Sequence, residues 1–333
     1  TEFVDAYVDG NIKKLGIDGD DIPFAHRDGI GSIVDYVAGR NRYVGYLISV
    51  ASHSYKDLRI GLDCANGASW MIAKAVFDAL GAKTYVSGAS PDGLNVNKDC
   101  GSTHIENLIE FVRENRLDAG FAFDGDADRC IAVDENGRIV DGDCILYILG
   151  TRLKSRGILD GDTVVATVMS NSGLFKAFES AGIKYELTAV GDRFVYECMQ
   201  KNGYRLGGEQ SGHIILQKYA TTGDGLLTAI MLTEEMRDRK LPLSKLAEPV
   251  RLYPQTVKSI RVASKEQALS DPEVKAEFDA INKEINGNGR ALLRASGTEP
   301  VVRIMLECES EELCEKYTAR LLEAIHKRGY CCE

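Results

Sequence analysis

The 333-residue chain has no apolar run approaching the roughly 20 residues that a bilayer-spanning helix needs. Its opening residues lack the apolar core of a secretory leader. Basic tracts are missing too. With 40 Lys and Arg against 50 Asp and Glu, the formal net charge is −10 and the pI about 5.2. That balance argues against nucleic acid or an anionic membrane surface as the main partner. The nine cysteines form no CxxC pair, and only Cys331 and Cys332 are adjacent. Such scatter suits small core residues in a reducing compartment, so a cytoplasmic protein is expected. No charge or apolar stripe points to an oligomeric state.

What the chain does have is length for several cores and a regular alternation of strand and helix patterns. After an expected helical start on Phe3, Tyr7, Ile12 and Leu15, residues 1–40 turn polar and Gly/Asp-rich. From Arg42 the spacing predicts a short helix, a buried strand over Leu58–Asp63, a helix closed by Gly81, and a strand from Lys83. A helix near Ile105–Asn115 follows. A second unit of the same kind begins near Asp141. It brings a strand at Thr163–Val168, a helix over Ser172–Ser180, a strand at Lys184–Thr188 and a long helix from Asp224 to Arg239. Prolines between Pro242 and Pro254 mark a linker, and the remainder alternates strands and helices in an α+β layout. The expectation is two related three-layer α/β domains (41–140 and 141–248) and a C-terminal α+β domain (249–333). The last would carry helices on one face of an antiparallel sheet.

Three loops carry chemistry. In Phe121–Val133, strand-like runs flank Asp124, Asp126 and Asp128, three carboxylates at alternate positions around Gly125. Two unit charges about 4 Å apart repel by roughly 4 kcal/mol at an effective dielectric near 20, so the cluster calls for a cation. An all-oxygen set suits Mg²⁺ or Mn²⁺ better than zinc. Arg129 adds a fixed positive charge beside it. An acidic surface turn is the plain alternative. An EF-hand is excluded, because its sixth position would be Arg129 and its flanks strands. The second loop, Gly207–His213, presents Glu209, Gln210, Ser211 and His213 on a Gly-rich turn, a set able to hydrogen-bond sugar hydroxyl or amino groups unless it is an ordinary hairpin. The third, Arg294–Pro300, offers a guanidinium fork, Ser296, Thr298 and a turn at Gly297 as an anion nest. Arg193, at a helix start after Gly191, is a weaker anion ligand. The neighbours Ser52 and His53 look like a nucleophile and base, but adjacent residues point apart, so they read as a polar connector.

In order and spacing, DGDADR at 124–129, GGEQSGH at 207–213 and RASGTEPVVR at 294–303 resemble the metal-, sugar- and phosphate-binding loops of the α-D-phosphohexomutases. The resemblance runs from about Arg42 to the C-terminus. It implies a four-domain fold in which the first domain carries a phosphoserine loop. That loop has no counterpart here, so residues 1–40 read as a remnant of that domain. Mg²⁺ on Asp124, Asp126 and Asp128 is implied, with Arg129 neutralising charge and His213 a candidate proton carrier. Glu209, Gln210 and Ser211 would hold the sugar of a sugar phosphate; Arg294, Ser296, Gly297, Thr298 and Arg303 would hold its idle phosphate. The implied activity is intramolecular phosphoryl transfer through a bisphosphate, which this polypeptide alone is expected not to perform. Gln210, TVMSNS at 167–172 and VGDRF at 190–194 are similar to bacterial members acting on glucosamine phosphates. Mannose- or glucose-phosphate mutases and a non-catalytic sugar-phosphate binder are the alternatives.

Overall fold

The computed structural model describes residues 26–32, 34–285, 287–296 and 300–330. The expected helix around Phe3–Leu15 lies outside them. Residues 1–41 and 42–333 form two compact units. In the first, the described part is an exposed 3₁₀ turn, Arg27–Gly29, and the start of helix α1 (Val37–Val50).

The second unit is built on three sheets. The first contains β1 (Arg59–Asp63), β2 (Lys83–Ser87), β3 (Ala119–Phe123), β4 (Cys130–Asp134) and β5 (Ile139–Val140), in the order β2-β1-β3-β4-β5. The first three are parallel, and β4 and β5 run antiparallel. Every residue of β3 and β4 is buried, which is why they read as continuous apolar runs rather than alternating ones. Helices α2 (Ala73–Ala79) and α3 (Glu106–Asn115) connect the strands.

Helix α4 (Gly142–Ser155) opens the second α/β layer. Asp141 caps it, accepting from the Cys144 N–H at 3.1 Å, while Asp143 turns inward and is fully buried. The layer continues with β6 (Thr163–Thr167), α5 (Ser172–Ser180), β7 (Lys184–Thr188), α6 (Asp192–Asn202), β8 (Leu206–Gly208), β9 (Ile214–Leu216) and α7 (Gly225–Arg239). Its sheet order is β7-β6-β8-β9, with β9 antiparallel. This repeats β2-β1-β3-β4, so the duplication expected from element spacing is present in the topology. Helix α7 is buried on nearly every side, within one apolar cluster that runs from Leu47 through both layers to Val250. Its Glu235 pairs with the buried Arg152 at 2.5 Å. Its Glu234 accepts from Ser52 Oγ at 2.6 Å and lies 3.0 Å from His53 Nδ1, so those two residues tie the chain to the helix as a connector.

After α8 (Leu243–Ala247) comes the C-terminal domain: β10 (Gln255–Arg261), α9 (Lys265–Ser270), α10 (Pro272–Ile285), β11 (Arg290–Ala295), β12 (Val301–Glu307) and α11 (Glu311–Lys327). Its sheet, β10-β12-β11, is antiparallel and has its own apolar core under the helices. Its mount on the second layer is polar. Asn171 exchanges hydrogen bonds with the Tyr253 backbone, the Ser172 N–H donates to buried Glu307 at 2.7 Å, and Asp143 accepts from the Asn171 N–H at 2.6 Å. Among the described residues no helix is long and apolar enough to cross a membrane. The described cysteines are all unpaired.

The mount yields a prediction. Burial, then the charges of Asp141 and Glu307, push the Asp143 carboxyl up from 3.8 to about 8. The folded state thus keeps a proton that the unfolded chain releases above 3.8. Stability should fall as pH rises through that window and level off above about 8. Asp143→Asn, which stays neutral, should remove that component in urea unfolding curves. Parallel pH profiles for the two proteins would contradict the assignment.

Candidate active site

The metal candidate is the β3–β4 hairpin turn, Asp124–Arg129, closed by the Phe123–Cys130 pair. Asp124, Asp126 and Asp128 each bring a carboxylate oxygen within 4.8 Å of the others. Asp124 is buried, Asp128 half-buried and Asp126 exposed. Burial first, then the charges of Asp128 and Asp126, raise the Asp124 carboxyl to about 6, against the lowering effect of the Arg129 N–H that donates to it. The Arg129 guanidinium stands 3.7 Å from Asp124 and 3.8 Å from Asp128, partial compensation without a hydrogen bond. Asp128 Oδ1 is buried with no hydrogen-bond partner. An orphaned buried oxygen in an all-carboxylate set fits a hard divalent cation such as Mg²⁺.

The sugar candidate, Glu209–His213, is the β8–β9 turn and thus the topological counterpart of the metal loop. The structure joins the two. Cys130 N–H donates to the Gly212 carbonyl at 3.1 Å, and Arg129 and His213 form an antiparallel bridge. The start of α7 closes over both, with Gly225 N–H on the Ala127 carbonyl at 2.9 Å. A side chain at Gly225 would put its Cβ 2.3 Å from the Arg129 carbonyl oxygen, so this approach requires glycine. Glu209 Oε1 accepts from the Gly191 N–H at 3.0 Å, which aims the carboxylate, and Ser211 is exposed.

Two of the expected residues also have partners in the scaffold. Gln210 turns its backbone to the start of α4, where its carbonyl accepts from the Gly142 N–H at 3.0 Å. Its main chain is therefore part of the scaffold that fixes this turn against α4. His213 is buried. Its Nε2 accepts from the Gly223 N–H at 2.9 Å and its Nδ1 lies 3.2 Å from Asp128 Oδ2, so both nitrogens face protein groups rather than a ligand to which they could pass a proton.

The phosphate candidate spans the β11–β12 hairpin. Strand β11 runs to Ala295, further than the sequence pattern indicates, so Arg294 sits in the strand and pairs directly with Arg303 of β12. Like charges directly opposite are unfavourable, and an anion between them would relieve the repulsion. Buried Ser296 follows, its carbonyl accepting from Lys265 Nζ at 2.8 Å. Lys265, at the start of α9, is a cation that motif reading missed, because nothing near it in sequence resembles an anion loop. Gly297 and Thr298 lie outside the described residues. Arg193 extends along α6 to Glu197 at 2.8 Å and is largely exposed. A cavity of 580 Å³ lined by His53, Asp118, Glu135 and Lys240 opens where β1 and β3 begin, at the sheet edge opposite the metal loop.

Comparison with known proteins agrees with this fold. Family models match in sequence: phosphoglucomutase/phosphomannomutase alpha/beta/alpha domain II at residues 41–137, alpha/beta/alpha domain III at 141–253, and the C-terminal domain at 258–324. A phosphoglucosamine mutase of Lachnospira eligens is 56% identical over 327 residues, 98% of this chain and 71% of that protein. The Bacillus subtilis phosphoglucosamine mutase is 49% identical over 296 residues, 89% of this chain and 66% of the relative. Among solved structures, Aspergillus fumigatus N-acetylphosphoglucosamine mutase in complex with GlcNAc-6P and magnesium shares the fold. Its TM-score is 0.71 at 19% identity, over 87% of this chain and 65% of that one. The chain therefore spans about two thirds to seven tenths of these proteins' lengths. With two hairpin-bearing α/β layers and an α+β layer in the matching order, the chain belongs to the phosphoglucomutase/phosphomannomutase family of phosphohexomutases, a family of isomerases.

Proposed function

We propose that the chain supplies the metal, sugar and phosphate sites of a cytoplasmic phosphoglucosamine mutase, which interconverts glucosamine 6-phosphate and glucosamine 1-phosphate. Segments 41–140, 141–248 and 249–333 act as its three bodies. The observation that carries the reading is the seam in which the hairpin bearing Asp124, Asp126 and Asp128 is joined, through the Arg129–His213 bridge, to the hairpin bearing Glu209 and Ser211. The similarity to phosphoglucosamine mutases favours an amino-sugar phosphate over mannose or glucose phosphate.

In this reading the phosphoryl group passes between a phosphoserine, on a domain that this chain's matched segments do not include, and the sugar. Asp124, Asp126 and Asp128 hold Mg²⁺, which when bound offsets the negative charge of the transferring group. Arg129 adds a fixed cation at the same edge. Glu209 and Ser211 grip hydroxyl or amino groups, the carboxylate aimed by Gly191. Arg294 and Arg303, with Ser296, Gly297 and Thr298, hold the phosphate that is not reacting, so the sugar can present either end to the metal. Arg193 lies near enough in sequence to Gly191 to serve the same anion.

Binding tests this directly. With Mg²⁺ present, glucosamine 6-phosphate should bind the 333-residue chain more tightly than mannose 6-phosphate in calorimetry. Arg294→Ala should weaken it by about tenfold or more, the scale of a hydrogen bond to a charged group. Equal affinity for the two sugars would favour the phosphomannomutase alternative, and an unchanged dissociation constant in Arg294→Ala would reject the phosphate role.

A second prediction concerns the aim of Glu209. Gly191 has φ +130°, a backbone that side-chain-bearing residues rarely adopt. Gly191→Ala should strain the turn, withdraw its N–H from Glu209 and weaken sugar-phosphate binding while Mg²⁺ affinity stays unchanged. Loss of both would mean the substitution disturbs the fold rather than the carboxylate.

A further inference from the structure

His213 lies in the seam between the hairpins, and each of its ring nitrogens has a polar neighbour. The Gly223 N–H points at Nε2 from 2.9 Å, so Nε2 must present a lone pair. In the neutral imidazole the ring proton then resides on Nδ1, which lies 3.2 Å from Asp128 Oδ2. Only 3% of the side chain is exposed, so no other donor or acceptor from solvent competes. The next acidic group, Asp192, is 3.9 Å from Nε2, beyond hydrogen-bond range. The two oxygens of Asp128 are thereby distinguished. Oδ2 faces the imidazole, and Oδ1 is buried without a hydrogen-bond partner on the side of Asp124 and Arg129.

Resting on the metal reading above, we infer that His213 is a positioning residue: as the Nδ1–H tautomer it fixes Asp128 so that Oδ1 faces the cation. A carboxylate on a hairpin turn otherwise rotates between near-equivalent orientations, and a free rotor must be ordered when the metal binds. Pinning it beforehand places that cost in folding. Because His213 belongs to the sugar hairpin and Asp128 to the metal hairpin, it also makes cation affinity depend on the two layers staying in register. Donors that orient a metal ligand are typically worth about 10- to 100-fold in affinity.

The test is Mn²⁺ titration calorimetry on the 333-residue chain and on His213→Asn, His213→Gln and His213→Ala. An Asn amide nitrogen can stand where Nδ1 stands, whereas Gln reaches only the Nε2 position. Asn should stay within a few-fold of the parent, while Gln and Ala should lose about 10- to 100-fold. Equal affinities in all four proteins, or Gln rescuing where Asn does not, would overturn the inference while leaving the metal reading intact. A parent chain that binds no Mn²⁺ would overturn the metal reading itself, and this inference with it. A readout independent of variant folding is the imidazole ¹⁵N spectrum of the unsubstituted chain. A protonated Nδ1 and unprotonated Nε2 at His213 are expected, and the opposite tautomer would contradict the proposal.

Discussion

The architecture depends on holding like charges together. Three carboxylate oxygens within 4.8 Å of one another repel, and the segment that carries them is only a hairpin turn. A turn of that length has no core of its own, so its shape must be imposed from outside. Fixed donors and acceptors from elsewhere in the chain impose it: Ala68 N–H on the Gly125 carbonyl, Gly225 N–H on the Ala127 carbonyl and the Gly212 carbonyl under Cys130. These partners come from the loop after β1, the start of α7 and the sugar hairpin. The cluster therefore exists only when both α/β layers are folded against each other, which explains why they share one continuous apolar core.

The three proposed sites occupy equivalent places. Each is the turn leading into an antiparallel strand: β3 to β4 for the metal, β8 to β9 for the sugar and β11 to β12 for the phosphate. Such turns project past the sheet and expose backbone N–H groups that no ladder consumes, while the strands hold their ends rigidly. Duplication of one α/β layer thus yields two presenting loops of similar reach, and their contact through Arg129 and His213 places the two candidate sites side by side. The C-terminal sheet is mounted differently. Its polar attachment through Asn171, Tyr253 and Glu307 uses hydrogen bonds that can be exchanged with water, unlike the apolar seam between the first two layers. That contrast suits a domain that moves over a ligand and returns.

Most elements were legible because local periodicity and capping signals decide them. Ser172–Ser180 and Lys184–Thr188 match the pattern residue for residue, and α7 begins one residue later than expected, with Asp224 as its cap. The three loops were legible as well, since glycine and repeated polar residues cluster there. What local pattern could not supply was direction. Nothing near Gln210 in sequence reveals that Gly142 donates to its carbonyl, and nothing near His213 reveals Asp128 and Gly223 on either side of its ring. Arg294 was misplaced into the loop because strand length is set by the partner strand, whose Arg303 and Val302 extend the pairing past Leu293. Ser52 and His53 were correctly set aside as a dyad, yet their common partner Glu234 on α7 lies far away in sequence. Each miss is a tertiary contact.

The central claim is that the hairpin cluster is a divalent-cation site assembled by its surroundings. Crystals of the 333-residue chain soaked in Mn²⁺, with diffraction collected for the manganese anomalous signal, test it most directly. The account predicts a peak at coordination distance, about 2.0–2.3 Å, from oxygens of Asp124, Asp126 and Asp128, with Asp128 Oδ1 among the ligands and Oδ2 still on His213. A cluster that remains without anomalous density while manganese appears elsewhere, or carboxylates that splay apart around it, would contradict it.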